Sequence, residues 1–433
     1  MKNTFNNKNH RFLISFFAGL SILTTLSFTS CGYQPVFYGI MHDVLPEEAT
    51  ISGNITTLAR CSIDSKEYFV LSSGGSIKYK EVTSSQHGDW KSGNIKLPFS
   101  FHHYNYFDTS TESEGHKGQQ VLRVISDENN IYLLTASFKQ DNEYGVVLPN
   151  DFYLWTAPLN KLLGGSQSDW KNIAEEYKSM NLFNFGIDTS QSEVVTNFSF
   201  FFTNALKPQH RKAYLAVSSD DGLKYYELNG SQVPQDCTST VTGSNLIKVN
   251  NDSTKVNSAF YIGDTLYFSD SLVTATNETS SKDATCVCLA GISSGNYSTS
   301  DLYFFKAGAS EPEKLLSIGS PIASLAFTAD SLLVGKGSFS STYTSNGGIS
   351  RILLDENGKP QNKTASFENN ATYQFTSSYI LMTLTCADPS KNEADACLYT
   401  TITYRGSSVS SSASFNDIGL WSYYPSRGNW NRE

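Results

Sequence analysis

The residues able to do chemistry are few in kind and widely spaced. Seven cysteines, at 31, 61, 237, 286, 288, 386 and 397, carry the covalent possibilities. No pair has the C-x₂-C spacing with which thiolates grip zinc, so disulfides are the alternative use. Cys386 and Cys397 flank the loop 387–396 between two expected strands, which makes them the best candidate bridge. Closing a loop of about twelve residues would contribute on the order of 3 kcal/mol in the chain-entropy picture. Cys286 and Cys288 project from the same face of a strand and cannot readily bond each other. One of them, Cys286 for instance, could pair with Cys237, leaving Cys61 unassigned.

Other reactive groups assemble into nothing. His102 and His103 are adjacent, so in a strand they point to opposite faces. No His-Glu-x-x-His helix is present. Asp355-Glu356-Asn357-Gly358 matches a fragment of a calcium loop, and a hairpin turn accounts for Asn357-Gly358. Gly74-Gly75 and Gly164-Gly165 are read as turns, because no helix opening on Lys-Ser/Thr follows to cradle a phosphate. No Gly-x-Ser-x-Gly nucleophile elbow is expected. Paired carboxylates at glycosidase distance can only be recognised in space. No catalytic residue, metal ligand or cofactor is therefore assigned.

The elements that carry these groups are legible from composition. Hydrophobic residues make up 39% of the 433, while charged ones are sparse at 17%, against the ~25% of ordinary domains. Ser, Thr, Asn and a large aromatic share (27 Phe, 24 Tyr and 5 Trp) fill the gap, a mix suited to half-buried strands and polar turns. Acids outnumber bases, 41 to 32, for a formal charge of −9. A reader of nucleic-acid phosphates needs a cationic face, so nucleic acid is excluded as a partner.

The N-terminus has its own pattern. Lys2, Lys8 and Arg11 precede an apolar run from Phe12 to Phe28, and Thr29-Ser30-Cys31-Gly32 follows. A cationic region, an apolar region and small residues form an export signal. The run is shorter than the ~20 residues of a permanent span, and no later stretch is long enough to cross a bilayer. Phe28-Thr29-Ser30-Cys31 resembles the bacterial lipobox, with Phe28 where Leu is usual. That resemblance implies removal of residues 1–30, diacylation of Cys31, a tether over 31–50 and attachment to the membrane through lipid. Two or three acyl chains suffice for stable anchoring. Six cysteines then remain, an even number that favours disulfides in an exported chain.

Past residue 50 the chain reads as short alternating strands. Leu71–Val82 aligns without gaps on Val217–Leu228, each a strand, a Gly/Asp turn and a strand. Tryptophan recurs in Asp89-Trp90-Lys91, Asp169-Trp170-Lys171 and Asn429-Trp430-Asn431, each time after an aromatic strand. These anchors phase six expected units of four strands. The first holds Ile55–Cys61, Tyr68–Leu71, Ile77–Val82 and Trp90–Leu97; the second Val121–Ile125, Ile131–Ser137, Phe152–Ala157 and Trp170–Ile173. The third holds Val194–Phe202, Ala213–Val217, Leu223–Leu228 and Leu246–Val249; the fourth Ala259–Ile262, Thr265–Phe268, Leu302–Lys306 and Leu315–Ile318. The fifth holds Ile322–Phe327, Ser331–Val334, Ile349–Leu354 and Thr364–Phe367; the sixth Tyr379–Thr385, Cys397–Tyr404, Leu420–Tyr424 and Trp430. The expected fold is all-β: a β-propeller of six four-stranded antiparallel blades over residues 51–433, with seven blades or a pair of β-sandwiches as alternatives.

Ser218-Ser219-Asp220-Asp221-Gly222 resembles the Asp-box of sialidase-like propellers, a structural hairpin in that family. The family's substrate-clamping arginines include one in a Phe/Tyr-Arg-Ile/Leu-Pro motif that is missing here. Arg60, Arg123, Arg211, Arg351, Arg405, Arg427 and Arg432 have no such context, so no sialidase residue is carried over. In plan the chain also resembles the propeller lipoprotein of the outer-membrane β-barrel assembly machine, without its Gly-Trp-type blade motif. The expected function is a lipid-anchored envelope protein whose propeller binds an envelope protein partner without catalysis. A carbohydrate-binding or carbohydrate-active propeller is the alternative, with Trp155, Trp421 and Tyr424 as rings that could stack on a glycan, and a surface adhesin is a third.

Overall fold

A computed structural model describes Ile51 to Glu433 except for residues 52–54, 56, 74, 83–89, 102–117, 142–145, 189–192, 203–206, 220–221, 231–232, 238–256, 263–264, 271, 278–283, 294–295, 307–312, 319–321, 337–347, 366–378, 405–417 and 427; from 257 to 301 it describes the backbone alone. The signal segment, Cys31, the tether, His102, His103, Asp220 and Asp221 lie outside the described residues.

Local chemistry sets the strands. Asp64 and Ser65 both take positive φ (50° and 64°), the geometry that turns β1 (Ala59–Ile63) back on β2 (Lys66–Ser73) in two residues. Gly75, at φ 70°, does the same between β2 and β3 (Ser76–Glu81). Ile77 and Tyr79 of β3 point to one buried face, and Lys91 bridges to Tyr79 at the outer edge. The next meander is β4 (Gln119–Ser126), β5 (Asn130–Asp141), β6 (Val146–Pro158) and β7 (Lys171–Asn172), followed by a short helix α1 (Ala174–Ser179). A hairpin β8 (Phe185–Asp188) and β9 (Glu193–Thr196) leads into a third meander of β10 (Phe198–Phe202), β11 (Ala213–Ser219), β12 (Gly222–Glu227) and β13 (Gln235–Asp236).

Then come β14 (Asn257–Ile262) and β15 (Thr265–Asp270), and β14 pairs back onto β9. The result is a separate sheet in the order β15-β14-β9-β8. Three further meanders follow: β16 (Leu272–Asn277), β17 (Ala284–Ser293), β18 (Asn296–Lys306) and β19 (Glu313–Ile318); β20 (Ile322–Phe327), β21 (Ser331–Lys336), β22 (Gly348–Leu354) and β23 (Pro360–Ala365); and β24 (Tyr379–Cys386), β25 (Leu398–Tyr404), β26 (Gly419–Tyr424) and β27 (Asn429–Arg432). The protein is all-β, and the described residues form seven sheets whose strand pairs are antiparallel.

The aligned hairpins share their register: Ser72 faces Ile77 as Ser218 faces Leu223. The recurring tryptophans open or occupy outer strands, Trp90 before Lys91, Trp170 before β7 and Trp430 within β27. Three strand assignments are corrected. The expected strand Val194–Phe202 divides into β9, which joins the separate sheet, and β10, which opens the third meander. The Ala259–Phe268 hairpin belongs to the separate sheet, and the fourth meander instead begins with β16 and β17. Residues 246–249 lie outside the described residues, and β13 holds the outer edge of the third meander.

The cores lie between consecutive sheets. Cys61, Val70 and Tyr79 pack on Val124, Leu133 and Ala157; Leu134 and Phe152 pack on Phe198, Phe200 and Leu215. Leu302 and Leu315 meet Leu325 and Phe327, while Leu333 and Ile349 meet Leu384 and Leu398. A further cluster joins Leu58, Phe69 and Leu71 of the first sheet to Tyr399, Leu420 and Tyr424 of the last. Each such buried side chain contributes roughly 1.5–3 kcal/mol relative to exposure. First strands adjoin in chain order: β1 and β4, β4 and β10, β10 and β16, β16 and β20, β20 and β24.

Candidate functional site

The cysteines are the first sequence-derived candidates to place. Cys386 pairs with Leu398 across the β24–β25 ladder, and Cys397 comes one residue before Leu398. The two thiols therefore point to opposite faces of the sheet, Cys386 among Leu384 and Ala396, Cys397 among Tyr399 and Leu420. Both are free thiols, so the expected bridge between them is not formed. Cys237 is likewise a buried thiol rather than half of a bridge to Cys286, whose side chain lies outside the described residues. Burial raises Cys61, Cys237, Cys386 and Cys397 to about 12 each, which keeps them protonated and unreactive near neutrality.

The other motifs resolve into structure. Asp355 Oδ1 accepts the backbone N–H groups of Asn357 (2.8 Å) and Lys359 (2.9 Å), and Gly358 has φ 75°, which makes 355–359 the turn between β22 and β23. Gly291-Ile292-Ser293-Ser294-Gly295 does carry the Gly-x-Ser-x-Gly spacing, which corrects the expectation that no such motif is present. Ser293 ends β17 and pairs with Asn296, which begins β18, so the motif's serine leads from one strand to another and not to the helix an elbow needs. Among the described residues no group of three or more His, Cys, Asp or Glu is placed to hold a metal. Trp421 and Tyr424 are core residues, whereas Trp155 is half-buried, stacked on Tyr153 at 6.3 Å and 17°.

Two ionic centres stand out, and neither was singled out from sequence. At the seam of the first and last sheets, Lys80 Nζ donates to Glu433 Oε2 (3.0 Å) and to the Tyr424 hydroxyl (3.1 Å). Trp90 Nε1 donates to the same carboxylate oxygen at 2.8 Å. The ammonium also lies 5.9, 5.4 and 5.8 Å from the ring centres of Trp90, Tyr399 and Tyr424. Burial pushes both tyrosines above their ordinary range, so their hydroxyls stay neutral donors. This group is a clasp: every member spends its polarity on another.

The second centre is partly open. Arg60, on β1, donates from Nε to Glu67 Oε2 at 3.0 Å and from Nη1 to the Ala387 carbonyl at 3.0 Å. Arg211 donates from Nη2 to the same Glu67 oxygen. Its position is set by a 3₁₀ turn over Pro208–His210, closed by the Arg211 N–H on the Pro208 carbonyl (2.9 Å). Both arginine side chains are almost fully buried, 3% and 1% exposed, while Glu67 keeps 26%. Burial lowers Arg60 from the ordinary guanidinium range, and Glu67 opposes that fall. The centre thus joins the first, third and last meanders. Its geometry can hold an oxyanion between two guanidiniums, the pairing that makes strong charge-assisted hydrogen bonds. Nothing local announces it, because Glu67 follows a two-residue turn and Arg211 sits in a polar loop, 144 residues away.

No family model matches the chain, and no curated protein does. Solved structures give faint likenesses. The Malassezia sympodialis allergen Mala s 1 is 8% identical at a TM-score of 0.36, covering 82% of this chain and 90% of its own. The C-terminal domain of gp131 from bacteriophage phiKZ is 10% identical at 0.33, covering 82% and 79%. An exo-β-1,3-galactanase from Phanerochaete chrysosporium is 12% identical at 0.33, covering 73% and 70%. Likeness of this degree carries no argument about what the chain does.

Proposed function

We propose that six of the sheets are the blades of a six-bladed propeller, and that this ring is a non-catalytic binding platform tethered to the cell envelope by lipid on Cys31. The blades are β1–β3 with Lys91, β4–β7, β10–β13, β16–β19, β20–β23 and β24–β27. The observation that carries the reading is closure: Ile51 N–H bonds to the Glu433 carbonyl (2.9 Å), and the first and last meanders share a core. Radial stacking in order leaves only short edges, which suits a rigid platform. The sheet β15-β14-β9-β8 is an addition to the ring, since it is built from two separated hairpins instead of one meander. The anchor rests on the resemblance of residues 28–31 to a lipobox.

The test compares membranes from cells making the wild type or Cys31→Ala, crosslinked in place and purified with an antibody. One stoichiometric envelope protein, present with the wild type and lost with the variant, is the expected result. Recovery of the chain alone from both would remove the platform reading. A glycan-binding reading draws on the half-buried Tyr153–Trp155 stack. Titration with envelope or host glycans checks it, and no binding at millimolar concentration would end it.

A further inference from the structure

We infer that Lys80 and Glu433 become covalently joined: the lysine nitrogen displaces one carboxyl oxygen as water, and an isopeptide bond seals the first sheet to the last. The inference goes beyond the platform reading and does not depend on lipid anchoring. Three observations carry it. Nucleophile and electrophile are held together and dry, with Lys80 Nζ 3.0 Å from Glu433 Oε2 and both side chains inside the seam. Burial there disfavours an ammonium and a carboxylate relative to a neutral amine and a carboxylic acid. The Tyr424 hydroxyl links the two groups, accepting from Nζ at 3.1 Å and donating to Oε1 at 3.4 Å. Tyr399 positions it, with the two hydroxyls 2.7 Å apart. Trp90 Nε1 donates to the other oxygen, Oε2, at 2.8 Å, where negative charge grows during attack. The steps balance with no change of oxidation state. A proton passes from Nζ through Tyr424 to Oε1, leaving a neutral amine beside a carboxylic acid. Nζ attacks the carboxyl carbon while Trp90 holds the charge on Oε2. A second proton follows the same path, the bond from carbon to Oε1 breaks, and water departs.

The experiment is mass spectrometry of tryptic peptides from the full folded chain. Trypsin cuts after lysine and arginine, so the linked product is the peptide 79–91, uncut at Lys80 and carrying on that lysine the segment that begins at Glu433. Its mass is expected to lie one water below the sum of its two parts. A wild-type chain that yields only unmodified Lys80 would overturn the proposal. Lys80→Arg keeps a cation against Glu433 but has no amine to acylate, so no link is expected; a link to Glu433 in that variant would equally overturn it. Tyr424→Phe keeps the ring and removes the relay. In chains sampled at equal times after a pulse of synthesis, it is expected to form the link about a hundredfold more slowly. Linkage at the wild-type rate would overturn the assignment of the relay to Tyr424.

Discussion

Burying Lys80 and Glu433 strips both of water, with side-chain exposures of 3% and 0%, and their mutual bond and the surrounding tyrosine, tryptophan and ring contacts offset that loss. Removing one partner strands the other, so Lys80→Met should destabilise the fold by about 3–5 kcal/mol. Lys80→Met/Glu433→Gln should cost clearly less than the two single changes combined, as urea unfolding of the four proteins would record. The buried thiols make a second residue-scale prediction. Cys61, Cys386 and Cys397 are raised from an ordinary 9.0 to about 12, so the folded chain keeps protons that the unfolded chain releases. Their contribution is complete below pH 9 and is lost as pH climbs toward 12. Buried Tyr132, Tyr399 and Tyr424 are shifted in the same direction and steepen the fall. Thermal midpoints followed upward from neutrality should therefore drop, and a flat profile to about pH 11 would contradict this account. Iodoacetamide at neutral pH should label none of the three thiols in the folded protein and all three once it is denatured.

At the scale of elements, hairpins were the legible part. A two-residue turn with Gly or Asp needs only its own backbone geometry, so the Leu71–Val82 and Val217–Leu228 hairpins could be aligned to the residue. Sheet membership was less legible. β16 and β17 are rich in Thr, Ala and Cys, whose weak alternation hides a strand, and the β14–β15 hairpin looks like any blade hairpin until its partner β9 is known. The Cys386–Cys397 pairing failed on a shift of one residue, since side chains alternate faces along a strand. Between β6 and β7, Gly165 has a structural reason that its turn assignment alone did not supply. An added Cβ there would stand 2.1 Å from the Lys161 carbonyl oxygen, a backbone atom that cannot swing away. Gly165→Ala should destabilise by about 1–3 kcal/mol in urea unfolding, while the surrounding sheet keeps its circular-dichroism spectrum.

For the whole molecule, a backbone hydrogen bond joins residue 51 to residue 433, and the proposed ring would close there. Deleting Asn429–Glu433 removes β27, Trp430 and the carboxylate of the Lys80 clasp together. Such a chain should lose cooperative unfolding, seen as non-coincident transitions by tryptophan fluorescence and circular dichroism; a single coincident transition would show that closure is dispensable. The sequence by itself determined the all-β class, the hairpins and the outer position of three tryptophans, because strand alternation and turn chemistry act within a few residues. Only the tertiary structure decided that Arg60, Glu67 and Arg211 meet, that Lys80 lies among rings from the far end of the chain, and which sheet takes β14 and β15. Those contacts join residues separated by up to 353 positions, and no local preference encodes a partner that far away.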